Sequence, residues 1–336
     1  MTRLFTDGAE SGDLTRWTLG TLCGVTNAKK RNGTYSYWIA SYTTNYLTKD
    51  LPSTYTELYF RFAVLFESVA SIGKLLTWVN GVNEGGSLRT KSFGDTATIE
   101  MYDGTALRET SSKFTMNIGE WHVFEVRVKI GAAPNGIFQV KFDGAPVLSW
   151  AGATNSQSEI TRVVLYGATG NPSVWYDDIA INDTTGGADN SWCGDGGVLA
   201  ALVPITGAAE YTDLIPSTGN AWDCVNEIPA NADYVYESTV DKKSTYLLSD
   251  LAGLPSGASI ARVWVELDAL ETAADGDKIA TLLRSGATDA QGADQVLTLA
   301  YARYLSAEYL VDPAGGEDPT WTEARVNSLQ AGAVVR

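Results

Sequence analysis

Residues 119–150, GEWHVFEVRVKIGAAPNGIFQVKFDGAPVLSW, decide the fold of this chain. From His122 onward every second residue is apolar: Phe124, Val126, Val128 and Ile130 fall on one face, Glu125, Arg127 and Lys129 on the other. After a break at 131–136 the rhythm resumes, with Phe138, Val140 and Phe142 set against Gln139, Lys141 and Asp143. Period two over this length specifies half-buried antiparallel strands. Asp143-Gly144 supplies the positive backbone dihedrals of a tight hairpin, and a third strand begins at Val147 to Trp150. The stretch is the middle of a β-sandwich.

Working outward, the same alternation marks Tyr55 to Phe66, where Leu58, Phe60, Phe62, Val64 and Phe66 are in register. Leu75 to Asn80, Ala97 to Tyr102 and Lys113 to Asn117 continue a meander through the turns Asn80-Gly81 and Asp103-Gly104. Arg162 to Tyr166 and Ser173 to Ile181 close it. Short strands at regular spacing with turn signals between them predict a sandwich or barrel over residues 1–183. The small, polar run NDTTGGADN places a linker at 184–190 and a second domain at 191–336. In that domain Val198 to Pro204, Tyr234 to Ser238, Ser244 to Leu248, Lys278 to Ser285 and Gln295 to Leu305 read as strands. Ile260 to Leu270 is the strongest, with Ala261, Val263, Val265, Leu267 and Ala269 on one face. Thr320 and Glu323 form a capping box that opens a short terminal helix, closed by Gly332. The fold class is therefore all-β: a jelly-roll sandwich plus a smaller β-sandwich with one short C-terminal helix.

Composition sets the outer limits. The 336 residues are 44% apolar and 19% charged, which describes a globular chain with ample core. A net charge of −16 repels nucleic-acid phosphates and anionic bilayers, so neither nucleic acid nor membrane insertion is expected. No apolar run is long enough for a bilayer, and Met1 to Phe5 lack the apolar core of a signal peptide. Cys23, Cys193 and Cys224 make no regular framework and no CxxC, and the single histidine, His122, leaves little from which to build zinc chemistry or a serine–histidine triad.

Two resemblances follow. The opening Phe5-Thr6-Asp7-Gly8-Ala9-Glu10 with Trp17, the strand Gly119-Glu120-Trp121-His122 leading to Phe142-Asp143-Gly144, and the closing Tyr176-Asp177-Asp178-Ile179 resemble the concanavalin A-like, or laminin-G-like, jelly-roll family. Members of that superfamily mostly bind carbohydrate or protein, and some are glycosidases, so fold alone does not choose a role. The second half looks like a domain of tailed-bacteriophage virion structural proteins. Cys193-Gly194-Asp195-Gly196-Gly197-Val198 leading to Pro204, Asp233-Tyr234-Val235, Asp312-Pro313, Trp321-Thr322 and the run Val326 to Gly332 carry this likeness. It implies a protein made in the host cytoplasm without a signal peptide and carried on the virion, among other virion proteins and as a homo-oligomer.

Three kinds of site are expected or weighed. Terminal strands of a jelly roll lie side by side, which brings Asp7 and Glu10 toward Asp177 and Asp178 as candidate Ca²⁺ ligands. Trp78, Tyr102, Trp150 and Trp175, near Asn80, Asn83 and Asp103, are candidates to stack against a host surface glycan. Glu266-Leu267-Asp268-Ala269-Leu270-Glu271 has the spacing of a bulged glycosidase strand, but Glu266 and Asp268 read as a solvated face and no catalytic residue is assigned. The expectation is a non-enzymatic minor tail or capsid decoration protein; the alternatives are a virion-associated glycan-degrading enzyme and a free carbohydrate-binding module.

Overall fold

A computed structural model describes residues 3–41, 44–67, 73–92, 96–167 and 173–336. The chain forms two compact units, Met1–Ala200 and Ala201–Arg336. The boundary thus falls beyond the expected 184–190 linker, because residues 191–200 are tied to the first unit. The Gly194 amide donates to Glu125 Oε1 at 2.8 Å, and the Val198 amide donates to Asp178 Oδ1 at 2.9 Å.

Among the described residues the first unit is the expected sandwich, with two eight-stranded sheets. One runs Ala145–Gly152, Gly136–Phe142, Trp121–Lys129, Glu57–Phe66, Ser173–Asn182, Ser36–Ala40, Cys23–Thr26, with Arg3–Asp7 also paired to Ser173–Asn182. In its centre Phe124 pairs with Phe62, Val126 with Phe60 and Val128 with Leu58, so the apolar alternation of both strands meets on one face. Phe62 and Phe124 stack at 5.5 Å between ring centroids. The other sheet runs Ala106–Thr110, Thr96–Asp103, Asn83–Ser92, Gly73–Asn80, Ile160–Tyr166, Tyr46–Tyr55, Leu19–Thr21, with Phe114–Thr115 beside Thr96–Asp103. Its inward residues Leu76, Trp78, Leu88, Ile99, Met101, Val163 and Leu165 complete one core with the first sheet. The Trp78 ring lies 5.4 Å from that of Phe138, joining the two layers.

The second unit is built on a six-stranded sheet: Pro204–Ile205, Lys243–Leu248, Gln330–Val335, Lys278–Ser285, Thr288–Gln291, with Gln295–Val296 also on Lys278–Ser285. Two strand pairs accompany it, Ile215–Pro216 with Val235–Tyr236 and Glu266–Ala269 with Ala302–Leu305. The strand expected at 260–270 is only four residues long, because its partner supplies four; Val263 adds a single bridge to Tyr309. The stretch 198–204 pairs only at Pro204–Ile205. The terminal helix is one turn, Glu323–Val326, and the cap is Thr322, whose side chain accepts from the Arg325 amide at 3.2 Å, not Thr320. The chain beyond it, Gln330–Val335, is a central strand whose small residues Ala331, Gly332 and Ala333 carry little β signal.

Candidate functional site

The closing strands bring the four acidic candidates together as the sequence implies. Asp7 pairs with Ile179, and all four side chains are buried. Their oxygens are held by donors from the protein. Asp7 accepts from Trp17 Nε1 at 3.0 Å, the Tyr37 hydroxyl at 2.7 Å and the Ala9 amide at 3.0 Å. Glu10 accepts the amides of Thr34 and Tyr35. Asp177 accepts the Arg31, Asn32 and Asp178 amides. Asp178, at φ 51 in a bulge of its strand, accepts from Arg31 Nη1, Asn32 Nδ2 and the Val198 amide. These four residues do not gather three carboxylate oxygens within 4.8 Å of one another. Burial pushes the Glu10 carboxyl up to about 7 and that of Asp177 up to about 8. The group ties the loop around Arg31 and the 191–200 segment to the strand ends.

The aromatic candidates separate. Trp78 is 0% exposed and lies in the core, which corrects its place among the glycan contacts, while Trp150 is half-buried and packs against the same core. Trp175 lies on the first sheet opposite Trp38, with 9% exposed. Of the four aromatic candidates, Tyr102 is the one on the outer face of the second sheet.

That face holds a set of side chains the sequence reading passed over. Register places Leu19, Thr48, Val164, Thr77, Ser87, Tyr102 and Leu107 in one row across seven strands. Thr48, Val164, Thr77 and Ser87 are short and almost fully buried, though they face away from the core. They form a floor beneath the longer side chains of the neighbouring row. There Tyr166 pairs with Tyr46, Lys74 with Arg89, and Arg89 with Glu100. The Lys74 ammonium is bonded to Glu84 and lies 5.8 Å from the centre of the Tyr166 ring. The Arg89 guanidinium stacks on Tyr102 at 3.7 Å and approaches Glu84 Oε1 at 3.8 Å. Lys74, Glu84 and Arg89 keep about a quarter of their side-chain surface, at 25%, 30% and 24%, so they are reachable and partly desolvated. Burial pushes the Tyr166 phenol up, and the Glu84 charge adds to it, so the phenol stays protonated at neutral pH.

The signal for this site was present in the alternation Ser87, Arg89, Lys91 against Leu88 and Thr90. Nothing in one strand shows that its polar residues meet those of Gly73–Asn80 and Ile160–Tyr166. In the second unit, Glu266 and Asp268 are both held by Arg303, at 3.5 and 2.9 Å, and Trp264 Nε1 donates to Glu266 at 2.8 Å.

No family model matches the chain, and no curated protein matches it. Solved structures do. An endo-β-1,4-glucuronan lyase from the fungus Trichoderma reesei is similar at 17% identity and TM-score 0.44, covering 56% of this chain and 98% of that one. The alginate lyase Aly36B is similar at 15% identity and TM-score 0.39, covering 55% of this chain and 93% of that one. The binding domain of botulinum neurotoxin serotype C1 is similar at 10% identity and TM-score 0.35, over 54% of this chain and 48% of that one. The expectation of a non-enzymatic tail or capsid protein is corrected here: the comparisons lend it no support, the neighbours named being two lyases and a toxin domain. Residues 193–198, one of the segments behind the virion likeness, belong to the first unit, and the terminal helix is a single turn.

Proposed function

We propose that the first unit cleaves an acidic polysaccharide on the outer face of its second sheet, by elimination across a uronate residue. The observation that carries this reading is the convergence of Lys74, Glu84, Arg89 and Tyr166 over a floor of short side chains. Abstraction of a proton α to a carboxylate requires a cation to hold the charge that develops on that group. Arg89 supplies it, braced on the Tyr102 ring. A base takes the α proton, the bond to the β-glycosidic oxygen breaks as the carbon–carbon double bond forms, and an acid protonates the departing oxygen. Tyr166 is that acid, its phenol kept neutral by burial. Glu84 is the base, a carboxylate set between the two cations, and Lys74, bonded to it, adds its charge to that of Arg89 opposite the uronate carboxyl. Hydrolysis by two free carboxyls is a poorer fit, because Glu84 is engaged by Lys74, and Glu100 accepts from the Tyr102 hydroxyl at 3.2 Å. The likeness to the two lyases establishes no activity, so the reading rests on these side chains.

Binding tests the substrate class. In affinity electrophoresis the chain is expected to be retarded by glucuronan or alginate and not by the same polymers after carboxyl reduction. Arg89→Ala should weaken retardation about tenfold or more, the loss of one charge-assisted contact. Equal retardation by the reduced polymers would remove the uronate from the account.

A further inference from the structure

The loop from Glu271 to Asp277 in the second unit, joining the strands Glu266–Ala269 and Lys278–Ser285, brings three carboxylates together. One oxygen from each of Glu271, Asp275 and Asp277 lies within 4.8 Å of the other two. Glu271 is 8% exposed, and its Oε2 is buried with no hydrogen-bond partner among the described residues. This sets it apart from the other buried acids. Asp7, Glu10, Asp177 and Asp178 are held as described above. Asp103 has Arg108 and the Ser156 amide, Glu125 has the Gly194 amide, Asp183 has Thr185, and Asp312 has the Ala314 amide. A buried carboxylate with neither donor nor counter-charge is costly, and two like charges beside it raise the cost.

We infer that Glu271, Asp275 and Asp277 bind a divalent cation, with Ca²⁺ as the ion that fits. The ligands are hard oxygens, and two ligands of one Ca²⁺ at roughly 2.3–2.6 Å stand at most about 5.2 Å apart, which includes the observed spacing. Asp275 and Asp277 are exposed, so the ion enters from solvent and keeps waters on its open side. Gly276, at φ 83, lets the chain turn between them. The backbone on both sides is already anchored to the facing segment: the Glu271 amide donates to the Thr298 carbonyl at 3.0 Å, and the Leu297 amide donates to the Asp277 carbonyl at 2.8 Å. The ion would therefore clamp a loop whose ends are fixed.

Isothermal titration of CaCl₂ into the chelator-stripped full chain, alone and as the Asp275→Asn/Asp277→Asn double variant, tests this. Both side chains are exposed, so the variant is expected to fold, with circular dichroism as the check. The expected result is a saturating heat in the parent chain that weakens at least about tenfold in the variant, together with a calcium-dependent rise in Tm that only the parent shows. A flat titration of the parent overturns the inference. So does a calcium response that the double variant keeps in full, which would put the ion elsewhere.

Discussion

Glu10 and Asp177 show how single residues shape this molecule's response to pH. Desolvation is the leading cause of both shifts, with the charge on Asp178 adding to it and backbone amides of the 31–35 loop opposing it. Both folded-state values, about 7 and about 8, lie above the ordinary carboxylate range of an unfolded chain. Between that range and about 8 the native state thus holds more protons than the unfolded one, and stability falls as pH rises through the window. Urea midpoints measured from about pH 5 to about pH 9 are expected to decline, and Asp177→Asn should flatten the decline by removing one titrating group. A midpoint that rises over the range would contradict this assignment of protons. At the outer face of the second sheet the same physics acts on Tyr166, where burial keeps a proton available for donation.

At the level of elements, period-two alternation located most strands of the first unit and the register logic that buries Phe62, Phe124 and Phe138 together. It failed where pairing, not pattern, sets length. The apolar run at 260–270 has a four-residue partner, and the weakly patterned run Gln330–Val335 is a central strand because two neighbours bind it. Gly332 shows the constraint: a Cβ there would lie 1.9 Å from the Ser244 carbonyl oxygen of the adjacent strand. Gly332→Ala is expected to destabilise the second unit by about 1–3 kcal/mol or more, read from urea unfolding, since backbone on a paired strand cannot move aside. An unchanged midpoint would mean the strand is held more loosely than its ladder implies. The acidic group at the closing strands was legible because jelly-roll termini are adjacent. The Lys74–Glu84–Arg89–Tyr166 set was not, because it draws on three strands whose order in the sheet departs from their order in the chain.

The whole molecule carries a net charge of −16, yet the proposed site presents two cations on its outer face. A polyanion is repelled at long range and held at short range. Salt near physiological strength, with a Debye length of about 8 Å, screens the first effect more than the second. Assays belong at that ionic strength rather than in dilute buffer. The most direct measurement is the ultraviolet absorbance of unsaturated uronate ends, followed as the chain acts on glucuronan and alginate beside its Tyr166→Phe variant. The account predicts rising absorbance with the parent chain and a loss of about 10²-fold or more in the variant, the contribution expected of a general acid. No absorbance change with any polyuronate, or equal rates for parent and variant, would contradict it.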